Sequence, residues 1–551
     1  MIIGGYGTFG GRLVDLLADE PRLRLIVAGR SLDAAKAFCG RPSQATLVPA
    51  HFDRDGDVLR QLQVLRPDLV VDASGPFQAY GKDPYRVPRA VIESGADYLD
   101  LADAADFVVG IETLDALARE RGRVALSGVS SFPVLTAAVV RRLAPGLSLI
   151  ESIEAGIAPS PFAGVGLNVV KAIASYAGRP VSIVEDGDRR TGYGFIDSRR
   201  HVVNVPGRIP LSAIRFGLVE VPDLAVLARD WPRARSIWMG AGPTPALLHR
   251  LLWCAAWLVR LRLLPSLSPF APIMNFVINT ARWGEHRGGM YVEVRGIGDH
   301  GLEARSWHLL AEGDAGPLIP SMAAEALIRK WLKGEKPASG ARSAHRDLEL
   351  DEYQVLFERR KIATGFRTVT AARQPLYPRI MSSAFQRLAR PIQAAHLFDA
   401  GITLEGRGTV LRSGHWLANA VANVVRFPPA MTDVPVTVSM TRDGQHREFW
   451  RRTFDDHGFS STHEAGTGRS EGLLVERFGP LAFAMAVIEE EGSLRLILRR
   501  WSAFGIPLPM WAAPKAEALE HAAGGRFNFR VDIALPLVGR IVRYEGWLAP
   551  R

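Results

Sequence analysis

The sequence predicts an α/β protein in three parts: a parallel-sheet domain, a second α+β domain, and a mostly antiparallel β domain toward the C-terminal end. Three observations carry this. Short apolar runs alternate with amphipathic stretches over residues 1–147, longer helical patterns mix with strands over 148–343, and short strands separated by Gly, Asp or Pro dominate much of 376–551. At 551 residues the chain exceeds what one hydrophobic core usually serves.

In the first part, residues 23–28, 46–50, 69–73 and 124–127 read as strands, and 11–17, 32–39, 58–65 and 88–94 as amphipathic helices. Ahead of the first helix stands Gly5-Tyr6-Gly7-Thr8-Phe9-Gly10, a G-x-G-x-x-G pattern between an apolar run and a helix. The first glycine permits a tight turn, the second lets backbone approach a pyrophosphate, and the third lets helix pack on strand. These six residues are therefore expected to bind a dinucleotide in a Rossmann-type domain. The run before them is short, and the expectation is a truncated or misassigned start.

About 20 residues on, an acidic side chain would select NAD by accepting from the ribose 2′-hydroxyl. This chain has Arg30-Ser31 there, a cation and a hydroxyl that can receive a 2′-phosphate, so the expected cofactor is NADP(H). Ser74-Gly75-Pro76-Phe77 follows the fourth strand, where loops border the nicotinamide, and is expected to line the cofactor or substrate. Tyr80, Tyr98, Asp100 and Asp103 cluster near the following strand ends and are the candidates for orienting substrate or relaying a proton, with helix capping as the alternative for each acid.

From residue 151 the pattern changes. Residues 152–158, 290–296 and 304–312 read as strands, and Gly334-Glu335-Lys336-Pro337 closes the second part. Residues 344–375 are charged, show little apolar periodicity and are expected to be a connector. The apolar stretch 246–278 is broken by Arg250, Arg260, Arg262 and Pro265, which argues against a membrane span. It reads either as a buried helix or as an interfacial one, with Trp253 and Trp257 at a lipid boundary. In the third part, 401–410, 434–441, 448–454, 472–477, 482–489, 494–501 and 526–535 are strand-like, enough for a sheet that curls around a cavity. Its aromatic and arginine-rich strands either line a ligand cavity or simply pack and face solvent.

With these residues in view, the first 350 or so resemble the saccharopine dehydrogenase-like NADP-binding oxidoreductases. The resemblance rests on the glycine-rich opening, Ala73-Ser74-Gly75-Pro76-Phe77 with Tyr80-Gly81, Gly95-Ala96-Asp97-Tyr98-Leu99-Asp100, Ser127-Gly128-Val129-Ser130-Ser131-Phe132-Pro133 and Trp307 with Pro317-Leu318-Ile319-Pro320. It implies hydride transfer with a nicotinamide cofactor. It does not imply saccharopine as substrate, because no matching amino-acid-binding arginine set is present; some relatives act on lipid-linked substrates. The C-terminal part resembles an uncharacterised domain often fused to bacterial members, through Trp450-Arg451-Arg452-Thr453-Phe454, Glu476-Arg477-Phe478-Gly479-Pro480, Gly505-Ile506-Pro507-Leu508-Pro509 and Arg543-Tyr544-Glu545-Gly546-Trp547.

Composition narrows the classes. A net charge of +10 is compatible with nucleic acid, but the basic residues are mostly arginines spread along the chain, with no recognition motif, so nucleic-acid binding is not expected. Cys39 and Cys254 cannot form a disulfide framework or a thiolate metal site, and the 13 histidines show no metal-ligand spacing; no metal is expected. His345-Arg346-Asp347 lacks the remainder of a kinase loop, and Gly128-Val129-Ser130-Ser131-Phe132 lacks the last glycine of a nucleophile elbow. With no export signal, a cytoplasmic protein is expected, peripheral at the membrane if 246–278 is interfacial. The expected function is an NADP(H)-dependent oxidoreductase acting on an apolar or lipid-like small molecule, with a homodimer as a candidate assembly. The alternative is a non-catalytic protein that senses NADP(H) or binds a lipid or partner.

Overall fold

Strands that are apolar at nearly every position need cover on both faces, and the first sheet has it. In the computed structural model, which describes residues 1–280, 282–299, 301–370, 374–443 and 447–551, this sheet contains β1 (Ile2–Ile3), β2 (Arg24–Gly29), β3 (Thr46–His51), β4 (Leu69–Asp72), β5 (Asp97–Asp100) and β6 (Val124–Ser127). Their order is β3-β2-β1-β4-β5-β6, all parallel, with a seventh strand, Gly340–Ser343, beside β6. Ile2, Val27, Val71, Leu99 and Leu126 face one core, while Ile3, Ile26, Val70, Tyr98 and Ala125 face the other. This period-two division follows from strand geometry. Helix α1 (Thr8–Leu17) buries Leu13, Val14, Leu16 and Leu17 in the first of these cores.

The strand order reverses between β1 and β4. That reversal opens a crevice beyond the carboxyl ends of the strands.

A mixed nine-stranded sheet follows. Leu149–Ala158 runs parallel to Ser236–Ala241 and antiparallel to Arg287–Gly298, which forms a long hairpin with Gly301–Glu312. Two helices, Ala246–Arg260 and Ala271–Thr280, cover the stretch whose sequence left two readings open. Leu248, Ala256 and Val259 are buried, but Leu251, Trp253 and Trp257 of the first helix and Ile273 and Phe276 of the second are exposed, Phe276 at 68%. One face is core and the other is bare. No helix among the described residues is long and apolar enough to cross a membrane.

The expected connector at 344–375 is instead structured over much of its length. Leu350–Glu358 is a helix with a reciprocal cap between Glu349 and Glu352, and Ile362–Thr370 is a strand. Leu350, Tyr353, Leu356 and Phe357 put a narrow apolar stripe into the core, which the surrounding charges obscure in the sequence.

By packing, Met1–His201 and Ile214–Thr364 form one unit, and Val202–Ala213 and Gly365–Arg551 a second. In the second unit ten antiparallel strands close into a barrel: six consecutive strands from Gly401–Arg412 to Leu481–Glu490, then Ser493–Ala503, Lys515–Ala523, Arg526–Leu535 and Gly539–Pro550. Pairing of Leu481–Glu490 with Ser493–Ala503 and of Gly401–Arg412 with Gly539–Pro550 completes the ring. Closure leaves no edge strand to be shielded among these ten.

Candidate dinucleotide site

The chain leaves β1 through Gly4, whose φ of +72° favours glycine. Gly4 N and Gly5 N both donate to Ala28 O, at 2.8 and 3.1 Å, tying the turn to β2. Gly7 N donates to Gly4 O at 2.8 Å, and α1 begins at the next residue. A Cβ on Gly5 would lie 2.9 Å from Ile2 O, and one on Gly10 only 2.2 Å from Gly4 O. These two glycines allow turn, strand and helix to touch.

Gly7 differs: it is exposed, its φ is −80°, and a Cβ there would lie 3.0 Å from Gly4 O, a tight approach that Gly4 could meet by giving a few tenths of an ångström. Its crowding is less severe than at Gly10. No side chain caps the N-terminus of α1, so the first-turn N–H groups contributed by Thr8, Phe9 and Gly10 keep their capacity for an anion. Phe9 O accepts from Ser321 Oγ at 3.1 Å, and Thr8 Oγ1 abuts Gly166.

At the end of β2, Tyr6 lies over Gly29, and its hydroxyl accepts from Ser31 N at 2.9 Å. Ser31 Oγ accepts from Ala34 N at 3.2 Å and caps the helix Leu32–Cys39. The serine hydroxyl expected to meet a 2′-phosphate thus caps a helix through its oxygen and keeps its O–H to donate. Arg30 beside it is exposed.

After β4, Asp72 organises the next loop. Its Oδ1 accepts from Ser74 N and Ser74 Oγ at 2.9 and 2.6 Å, and Tyr80 Oη donates to its Oδ2. Phe77 stacks on Tyr80 at 4.8 Å, and the Arg54 guanidinium lies 4.3 Å from the Tyr80 ring centre while donating to Ser74 O. Asn168, from the second domain, donates to Gly75 O at 2.6 Å. Burial and the neighbouring Asp72 carboxyl push the Tyr80 phenol well above its ordinary value, so it keeps its proton. Asp72, Arg54 and Asn168 were absent from the sequence-predicted set. Only Asp72 carries a signal, its place at a strand end.

The remaining candidates separate by burial. Tyr98 is wholly enclosed, and its hydroxyl has no partner. Asp100 is equally enclosed: Oδ1 accepts from Gly128 N, Ala102 N and Ser127 Oγ at 2.8–3.0 Å, whereas Oδ2 has no partner. Burial pushes its carboxyl up to about 7 against the pull of those bonds. Asp103 is half-buried, accepts from Gln78 at 3.2 Å, and is raised by burial; it acts electrostatically on Tyr176 and Glu220 of the second domain. The structure therefore gathers the glycine turn, Arg30, the 74–77 loop, Tyr80 and Asp103 along the carboxyl edge of one sheet, with Tyr98 and Asp100 behind it.

Residues 1–126 match the saccharopine dehydrogenase NADP binding domain family. The N-terminal portion is an NAD(P)-binding, dehydrogenase-like domain. Residues 388–548 match a domain of unknown function, DUF4166. No curated protein matches the chain. Among solved structures, it is similar to a myo-inositol dehydrogenase from Corynebacterium glutamicum (11% identity, 68% of this chain and 98% of that one, TM-score 0.31). It is also similar to the WlbA dehydrogenase from Thermus thermophilus in complex with NAD and UDP-GlcNAcA (13%, 61% and 88%, 0.29) and to GenD2 from gentamicin A biosynthesis in complex with NAD (16%, 55% and 70%, 0.27). Likeness at this level carries no functional argument, and the reading rests on the geometry. In this NAD(P)-binding domain the residues present fit the diphosphate: the exposed Gly7 backbone stands at the uncapped N-terminus of α1, where a side chain would crowd Gly4 O.

Proposed function

We propose that the N-terminal unit is an NADP(H)-dependent oxidoreductase acting on an apolar or lipid-like substrate. The observation that carries this reading is the glycine-lined junction of β1 and α1, beside the reversal of strand order. The cofactor, when bound, supplies the hydride chemistry. The protein's part is positional. The Gly7 backbone and the α1 amides hold the diphosphate, Arg30 pairs with the 2′-phosphate, and Ser74–Gly75–Pro76–Phe77 borders the nicotinamide. Tyr80, kept protonated by burial and by Asp72, which takes its one O–H, orients the substrate through its oxygen or relays a proton, as does Asp103. Tyr98 and Asp100, sealed in the core, support that edge from behind.

An apolar substrate accords with the bare face of the helices at 246–280, with exposed Trp283 near it in sequence, which we propose rests on an anionic bilayer. No acidic residue occurs between Asp230 and Glu285, while Arg250, Arg260, Arg262 and Arg282 accompany exposed Trp253, Trp257, Phe276 and Trp283. The sealing of Tyr98 and Asp100 favours a second reading, an NADP(H)-sensing protein without turnover. An NADPH-oxidation assay over ketones, enoyl lipids and imines of graded chain length separates the two. Turnover that improves with chain length is expected; tight NADPH binding with no turnover across the panel gives the second reading.

A further inference from the structure

The barrel encloses a cavity of about 360 Å³, a size suited to one small ligand. Its wall is aliphatic and aromatic, with Leu404, Met440, Phe454, Leu496, Phe529 and Val531 among the side chains that face it. The helix Trp416–Val424 adds Val421 to the wall. Outward positions on the same strands carry charge, as at Arg451, Arg477 and Arg530. An apolar interior with charged outward positions reverses the pattern of a lipid-spanning barrel.

Five ionisable residues of the Arg, Glu and His types line the cavity, and they are paired with one another. Arg452 donates to Ser461 Oγ at 2.8 Å and to Glu476 Oε1 at 3.3 Å. His463 Nε2 lies 3.0 Å from Glu476 Oε1, and its Nδ1 lies 3.2 Å from the Tyr377 hydroxyl. Burial works to raise Glu476, but His463, Arg452 and Ser461 outweigh it and hold the carboxyl down at about 2. His396 Nε2 meets Glu520 Oε2 at 2.7 Å, and His396 stacks on Tyr377 at 3.8 Å. The His396 ring is wholly buried, and its Nδ1 has no hydrogen-bond partner.

We propose that this barrel binds one neutral, long-chain lipid whose polar group is a hydroxyl, ketone or ester, seated against the apolar wall beside His396. The apolar wall gives the chain its driving force. The pairing gives the head its class: Arg452 is the lining guanidinium and already faces Glu476, so an incoming carboxylate finds Glu476 and Glu520 and no uncommitted cation. A neutral oxygen costs less to desolvate than a carboxylate and needs no cation to pair with. This proposal concerns the second unit alone and stands whether or not the N-terminal unit is an enzyme.

The test uses the full chain, with Nile red as the probe and 1-hexadecanol and hexadecanoate as competitors at pH 7. One probe is expected to be bound in the barrel and displaced by hexadecanol at least about tenfold more effectively than by hexadecanoate, a difference of about 1.4 kcal/mol. Ala518→Phe and Leu498→Trp, which add bulk to the cavity wall, are expected to weaken this binding about tenfold or more. Glu476→Gln leaves Arg452 with an unbalanced charge and is expected to raise hexadecanoate affinity about tenfold with hexadecanol little changed. That gain cannot come from a misfolded barrel. Probe binding untouched by both wall variants, hexadecanoate competing as well as hexadecanol in the wild type, or no gain in Glu476→Gln overturns the proposal.

Discussion

The two units arrange their polar groups differently. At the carboxyl edge of the parallel sheet polar capacity faces outward: α1 begins without a side-chain cap, and Arg30 is exposed. Inside the barrel Arg452, Glu476, Ser461, His463 and Tyr377 are linked in one chain of bonds. A site that binds a highly charged ligand must lend it hydrogen bonds, whereas a site for an apolar ligand does better to satisfy its own polar atoms and present carbon.

The sharpest way to break this contrast is to fill the open place in the turn. Gly7→Val is expected to lower NADPH affinity about a hundredfold or more by calorimetry, with the circular dichroism of the folded chain little changed, because φ at Gly7 suits any residue and Gly4 O, 3.0 Å from the new Cβ, need give by only a few tenths of an ångström. Gly10→Val should instead impair folding, since even a Cβ there would overlap Gly4 O. A Gly7→Val protein that binds NADPH normally removes the basis for the site.

Arg30 gives the next effect in size. A guanidinium gains a charge-assisted partner only when the ribose carries a phosphate, worth about 1.5–3 kcal/mol. NADPH should therefore bind about tenfold to a hundredfold more tightly than NADH. Arg30→Ala should erase most of that preference and leave NADH affinity nearly unchanged. Equal affinity of the wild type for both cofactors, read by nicotinamide fluorescence, contradicts the assignment.

The contrast also predicts opposite pH slopes. Asp100 is raised from 3.8 to about 7, chiefly by burial, so its contribution to stability is fully present below about pH 4 and lost as pH rises through 7. Glu476 is lowered from 4.5 to about 2, so its contribution is present above about pH 4.5 and lost as pH falls through 2. Each shift is on the order of 3–5 kcal/mol at most. Hydrogen exchange followed by peptide should show β5 loosening between pH 4 and 7, with Asp100→Asn flattening that change. Strand Leu474–Phe478 should loosen only in acid, with Glu476→Gln flattening that one. Slopes of the same sign in both regions contradict the contrast.

How much of this was legible in the sequence follows from how far apart the interacting residues lie. Gly5, Gly7 and Gly10 act on one another within a single turn, so their spacing carries the geometry. Arg54 and Asn168 reach Ser74 and Gly75 from 20 and 93 residues away, and no local pattern announces such contacts. A hydroxyl at a strand end looks the same in sequence whether or not it also caps a helix, so the cap that Ser31 makes is not legible there. Lys515–Ala523 reads KAEALEHAA, a composition suited to a helix, yet it is a barrel strand between two partners. Pairing on both sides outweighs local propensity there. The barrel's closure and its internal ion pairs arise from strands brought together by topology, of which the sequence shows only a sheet that curls around a cavity.

The smallest expected effect concerns where each unit keeps its apolar surface, since the barrel turns such surface inward and the helices at 246–280 turn it outward. Trp253 and Trp257 lie one turn apart on an exposed face, 6.0 Å between ring centres, in a segment rich in arginine and free of acid. Apolar insertion plus attraction to anionic headgroups should make the protein sediment with phosphatidylglycerol-containing vesicles at low salt. It should do so less with purely zwitterionic ones, and less again at 0.5 M salt, where the Debye length falls to about half its value at 0.1 M. Trp253→Ser/Trp257→Ser removes two interfacial aromatics and is expected to cut the bound fraction about threefold or more, while displacement of Nile red from the barrel by hexadecanol stays as in the wild type. Ala518→Phe should do the reverse, weakening probe binding and leaving sedimentation unchanged. If the wild type fails to sediment with anionic vesicles at low salt, the exposed face of the helices at 246–280 is not a bilayer contact. If the double serine variant loses barrel binding as well, the inward and outward apolar surfaces are not independent.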